Sequence, residues 1–186
     1  MELNTKDQII EAAKCSFALH GYEGTTLSQI AKEVGIQKPS IYNHFKSKNE
    51  LYLYVAKMVI EALLVGMQDT YERHKNENLE IRLYLLFKNS CNFILNKQEG
   101  MMYVRFLLFR PVELKEEVKT ILSRGDSQIE DIVNKFYTEG IEEGQFRDPK
   151  YVACSHKLAK LMFIPNNLNW LIVFYNRIQV HKVESL

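Results

Sequence analysis

"TTLSQIAKEVGIQKPSIYNHFKSKNEL", residues 25–51, is the stretch on which the fold turns. Thr26 precedes Gln29 by three residues, the spacing of a capping box in which each side chain satisfies the other's backbone N–H. Leu27, Ile30, Ala31 and Val34 then recur at helical spacing, and Gly35 stands where a closing helix needs a left-handed residue. Pro39 is tolerated only in a helix's first turn, so a further helix starts at Gln37 or Lys38 and runs to Phe45. Ser47 and Glu50 form a second capping box, which opens another helix. A two-turn helix, a tight turn and a helix with a polar start make a helix-turn-helix. Leu27, Ile30, Ala31, Val34, Ile36, Ile41 and Phe45 hold the pair together, which leaves Lys38, Ser40, Tyr42, Asn43 and His44 on the other face.

Upstream, Thr5 and Gln8 have capping-box spacing, and Ile9, Ala12, Ala13, Ser16 and Phe17 share one face of a helix that ends near Gly21. "GYEGTT" (21–26) is a turn. The helix after Ser47 extends to about Arg73, with Leu51, Val55, Met58, Val59, Ala62 and Gly66 on its buried side. "HKNEN" (74–78) is a polar gap of the kind that separates domains. Beyond it helices are expected over 79–97, 100–109, 114–142, 149–163 and 167–182, punctuated by Gly100, Pro111, residues 142–149 and Pro165. Strand alternation is almost absent, so the chain reads as all-α, with about nine helices. The predicted division is a three-helix head, residues 1–48, joined through a long fourth helix to a larger helical part, residues 49–186.

Apolar residues make up 46% of the 186, and only 4 are Pro and 8 Gly, which suits long helices around a real core. Net charge is +1, so any affinity for nucleic acid must come from a local patch or from pairing two copies. Cys15, Cys91 and Cys154 are scattered, without a CxxC, and read as reduced core thiols of a cytoplasmic protein. The N-terminus carries no apolar signal-peptide core, and the most apolar stretch, 161–175, is broken by Pro165 and too short to span a bilayer. His20, His44, His74, His156 and His181 are dispersed, with no Ser-His-Asp, HExxH or phosphate-loop pattern, so no enzyme, metal site or cofactor is expected. Small polar residues at a helix start suit entry into a DNA major groove. The competing reading is a protein-interaction module that grips an acidic partner with the same basic face.

The same stretch resembles the DNA-binding domain of the TetR family of bacterial transcriptional regulators. Thr26, Ile30, Ala31, Gly35, Ile36, Ser40, Ile41, Tyr42, His44, Phe45, Ser47, Lys48 and Leu51 fall in register with that family's motif, and the likeness covers roughly residues 5–60. The resemblance implies double-stranded operator DNA as partner, read by Gln37, Lys38, Pro39 and Ser40. Tyr42, His44 and Lys48 match positions that hold phosphates, along with Thr26 and Ser28. His44 reads equally as a phosphate contact or a packing hydrogen bond, and Asn43 reaches either DNA or solvent. The first arginine is Arg73, so these contacts rest on lysine and neutral side chains, without arginine's rigid fork to guanine.

The resemblance further implies a C-terminal part that binds a small-molecule effector and forms a homodimer. Residues 167–178 are apolar almost all round, and Leu158, Leu161, Leu168, Leu171, Ile172, Tyr175 and Ile178 are the candidate dimer face. Met101, Met102, Tyr103, Phe106, Phe109, Phe136, Tyr137, Met162 and Trp170 are candidates to line an effector cavity, although such residues are more often ordinary core. Arg105 and Arg110, five residues apart, read as surface charges.

Overall fold

The computed structural model describes residues 4–144, as seven α-helices and one short 3-10 helix. They are α1 (Thr5–His20), α2 (Leu27–Val34), α3 (Lys38–Ile41), α4 (Lys48–Arg73), α5 (Leu79–Asn96), α6 (Gln98–Leu108), the 3-10 helix Val112–Leu114 and α7 (Lys115–Glu142). No strand occurs among the described residues. The helices expected over 149–163 and 167–182 lie outside them, with every candidate dimer residue from Leu158 to Ile178.

Local chemistry explains most boundaries. The α1 cap is Asn4 rather than the expected Thr5. Its side-chain oxygen accepts from Asp7 N–H at 3.0 Å, and Thr5 is already the first helical residue. Gly100 does not break the chain as expected. The break falls at Lys97, whose extended backbone (φ −115°, ψ 151°) ends α5 and caps α6, leaving Gly100 buried inside α6. The "HKNEN" gap is a turn closed by Glu77 N–H on His74 C=O, and Asn78 caps α5 by accepting from Ile81 N–H at 2.9 Å.

The chain packs as two compact units. Among the described residues, one holds those up to Ala62 together with Ile94–Leu122, and the other holds Leu63–Phe93 together with those from Ser123 to Gly144. "HKNEN" therefore lies within one unit. Along α4 the buried stripe runs Leu51, Tyr52, Val55, Ala56, Val59, Ile60, Leu63 and Met67, while Ala62 and Gly66 are exposed, against expectation. Small residues carry a weak periodic signal, and a period of 3.6 carried on from Val59 selects Leu63 and Met67 instead.

In the first unit Ile9, Ala13 and Phe17 of α1 are buried completely, and Ile30, Ile41, Phe45, Tyr52, Met102 and Phe106 of the same unit are at most 2% exposed. Tyr52 meets Phe17, Tyr22 and Phe106 edge-on, at centroid distances of 5.0, 5.0 and 5.3 Å. Edge-to-face pairing of this kind adds about 0.5–1.5 kcal/mol per pair beyond burial. In the second unit the Arg82 guanidinium is buried over the rings of Phe136 and Tyr71, 5.0 and 5.3 Å away, and bonds Glu139 at 2.5 Å. The Tyr71 hydroxyl donates to the other Glu139 oxygen.

Candidate nucleic-acid interface

Helix α2 opens with the expected box. Gln29 N–H donates to Thr26 Oγ1 at 3.2 Å, and Thr26 N–H donates to Gln29 Oε1 at 2.8 Å. It closes on Gly35, in the left-handed region at φ 78°, ψ 25°. Ile36 N–H reaches back to Ala31 C=O at 2.9 Å, which turns the chain sharply toward α3.

Helix α3 is shorter than the sequence suggests. Regular helix covers only Lys38–Ile41, and Tyr42, Asn43 and His44 follow with N–H bonds three residues back, to Pro39, Ser40 and Ile41. Tightening into i→i+3 bonds is the usual way a helix ends. At Phe45 the N–H returns to Ile41 C=O at 2.9 Å and the ring is buried. The Lys6 ammonium lies 5.8 Å from that ring and 5.0 Å from the ring of Tyr54. The second box is displaced by one residue. Glu50 N–H donates to Ser47 Oγ at 3.1 Å, but the Glu50 carboxylate accepts from Lys46 N–H at 2.6 Å rather than from Ser47.

These turns leave most of the candidate residues at the surface. Gln37, Lys38, Pro39, Asn43 and His44 are exposed, as are Thr26 and Ser28 at the start of α2, and Ser40 is half-buried. Tyr42 keeps 48% of its surface in solvent while Ile41 beside it has none. That exposure leaves the ring accessible to a partner. Lys46, exposed between His44 and Lys48, was not singled out from the sequence. Its signal there was position alone, as the first lysine in "FKSK".

Lys48 is half-buried and turned inward. Its ammonium donates to the carbonyls of Tyr22 (3.0 Å) and Thr25 (3.3 Å) and lies 3.9 Å above the Tyr22 ring. Two of its three N–H donors thus hold the α1–α2 turn. Gly24 in that turn admits no larger residue, because a Cβ there would stand 2.5 Å from His20 C=O. The Tyr22 hydroxyl lies between Asn49 Oδ1 and Glu113 Oε1. A phenol has one proton, and the charged Glu113 is the stronger acceptor. Burial, then the bond to Glu113, push the Tyr22 phenol well above its ordinary value. It stays protonated and a donor.

Of the cavity candidates, Met102, Tyr103 and Phe106 are buried in the first unit and Phe136 in the second, while Met101 and Phe109 are 43% and 67% exposed. The Tyr137 side chain, Met162 and Trp170 lie outside what the structure describes. Arg105 and Arg110 are not the free surface charges expected. Arg105 donates to Ala18 and Leu19 carbonyls, and Arg110 to those of Phe106 and Leu107, each capping a helix end. Cys91 is buried, which pushes its thiol up and leaves it inert. Among the described residues no cluster of His, Cys, Asp or Glu could hold a metal ion, and no helix is long and apolar enough to cross a membrane.

Residues 9–55 match the family model for bacterial regulatory proteins of the tetR family. The chain is 30% identical over 172 residues to IcaR of Staphylococcus epidermidis, a negative transcriptional regulator of a biofilm operon, spanning 92% of this chain and 83% of the relative. IcaR of Staphylococcus aureus is 32% identical over 138 residues, or 72% and 70% of the two chains. A TetR-family structure from Mesorhizobium loti superposes with a TM-score of 0.70 at 20% identity, covering 88% of this chain and 83% of the other. Bacillus subtilis FadR in complex with stearoyl-CoA gives 0.66 at 21% identity, covering 91% and 88%. At that identity the two structures speak for the fold alone. The helix-turn-helix and the extent of the IcaR match together settle the assignment: the chain belongs to the tetR family of bacterial regulatory proteins, transcriptional regulators and not enzymes.

Proposed function

We propose that this chain is a cytoplasmic repressor that binds a palindromic DNA operator as a homodimer and is released by a small, mostly apolar effector. In this reading residues 1–48 are the reading head, and residues 49–186 bind the effector and pair the two copies. One observation carries the DNA reading: the exposed, polar start of α3, with Gln37, Lys38 and Tyr42 left in solvent while Ile41 is buried. Gln37, Lys38, Pro39 and Ser40 read base edges. Thr26, Ser28, Tyr42, Asn43, His44 and Lys46 meet the backbone. Lys48 acts mainly by fixing the turn, with one N–H left for a phosphate. Repression is supported by the IcaR relatives, which are negative regulators, and the mostly apolar effector by the Met- and Phe-rich stretch 99–111. An effector that prefers a second spacing of the two heads would depopulate the operator-bound state.

The test is binding to the chain's own upstream DNA at 50 and 200 mM salt. Wild type is expected to lose about a thousandfold in affinity across that range if some six phosphates are neutralised. The Lys38→Ala/Tyr42→Ala double variant should bind weakly at both. Equal binding by the two proteins would refute the assigned face.

A further inference from the structure

Helix α1 is fastened along its second half by α6 and the 3-10 helix that follows it. Near the middle of α1, Lys14 bonds Glu99 at 3.1 Å, and Cys15 Sγ accepts from Gln98 Nε2 at 2.6 Å. At its end, where the last carbonyls have no partner within the helix, Arg105 supplies two donors. Its Nε bonds Ala18 C=O at 2.6 Å and its Nη2 bonds Leu19 C=O at 2.9 Å. Past the end, Glu113 accepts from Tyr22. From Lys14 and Cys15 beside Glu99 and Gln98 to Ala18 and Leu19 beside Arg105, α6 follows α1 with the same polarity, and Glu113 beyond it meets the turn that leads to α2. Gly21, at φ 71°, leaves space for this, since a Cβ there would stand 3.2 Å from Arg105 Nη1.

We infer that Arg105 and Glu113 are positioning residues for operator binding, which set the angle at which the reading helices leave α1 without touching DNA themselves. The direction of the chain into α2 is fixed within residues 21–26. Arg105 holds the entry to that turn, and Glu113 holds Tyr22 inside it. Lys48 holds the same turn from the start of α4. A guanidinium on a helix C-terminus and a phenol on a carboxylate are both charge-assisted, and so hold direction better than neutral contacts. Loss of either would let α2 and α3 swing as a pair, with their internal caps intact. This rests on the two-headed reading proposed above, because only two linked heads can register such a swing.

The experiment uses the full chain and three operators: the natural one, and versions with the half-site separation shortened or lengthened by one base pair. Each change rotates one half-site by about 35° relative to the other. Wild type should lose about tenfold or more on either altered spacing. Arg105→Met and Glu113→Leu, which remove the polar contact while keeping bulk, should discriminate only about twofold to threefold. Arg105→Lys and Glu113→Gln, which keep one donor or acceptor, should regain most of the discrimination. Tyr22→Phe, which removes a single hydroxyl, gives the same readout should the larger changes fail to fold. Equal weakening on all three operators would mean that these residues act through stability alone, and would overturn the inference. Unaltered discrimination in every variant would overturn it as well. A wild type that binds no operator would sink the DNA-binding proposal itself, a result the spacing series cannot mimic.

Discussion

At the scale of single residues, Glu139 shows how one carboxylate can organise a core. Burial pushes its carboxyl up, but hydrogen bonds from Tyr71 and Arg82 and the charges of Arg82 and Lys135 outweigh that, and it ionises below the ordinary value of 4.5. A group whose folded value is depressed contributes stability above its unfolded value and loses it as pH falls through the folded one. Acidification below about pH 4.5 should therefore weaken the fold, and Glu99, lowered in the same sense against Lys14, adds to the trend. Glu139→Gln should cost about 2 kcal/mol at neutral pH, because it strands a guanidinium that is only 3% exposed. That is less than for a fully enclosed pair, since Glu139 itself is 31% exposed. Urea midpoints between pH 7 and pH 3 check this. The variant should start lower and fall less steeply than wild type, and parallel curves would show that Glu139 is not the titrating group.

At the scale of elements, α2 separates stability from binding. Thr26 caps the helix and, in the proposed reading, also stands beside a phosphate. Aspartate is as good a cap as threonine and favours the positive end of the helix dipole. Thr26→Asp should hold the melting temperature, while Thr26→Ala should lower stability by about 1 kcal/mol. Yet the aspartate sets a negative charge against DNA, so its operator affinity should fall about tenfold or more below that of the alanine variant. Melting curves and operator titrations on the same two proteins decide it, and an aspartate variant that binds like wild type would remove Thr26 from the interface. The elements of the head were legible in the sequence because their signals are local: a box at Thr26, a left-handed glycine at Gly35, a proline at Pro39. What was not legible depends on distance. Arg105 reaches Ala18 across 87 residues and Tyr22 reaches Glu113 across 91, and no spacing rule links such pairs. Even the short range misled where side chains are interchangeable, as when Asn4 took the cap from Thr5.

At the scale of the molecule, the helix-turn-helix packs within a larger compact unit. That unit extends through Ala62 and takes in Ile94–Leu122, whose Met102, Phe106, Leu114 and Val118 are at most 3% exposed. Burying four large apolar side chains contributes about 6–12 kcal/mol in transfer terms, comparable to the whole stability of a domain. The head can then hardly keep its structure if α6 peels away. Hydrogen exchange under native conditions tests this, since residues in one cooperative unit open together. The slow amides of α1, such as Ala13 and Phe17, should share one opening free energy, and one dependence on denaturant, with Met102 and Phe106 of α6. Amides of the second unit, such as Leu86 in α5 and Val133 in α7, should open with their own. If α6 instead exchanged with Leu86 and Val133 while α1 stayed closed, α6 would belong energetically to the other unit. The Arg105 and Glu113 contacts would then be weaker than their geometry implies, and the head would be a smaller and more independent body than its packing indicates.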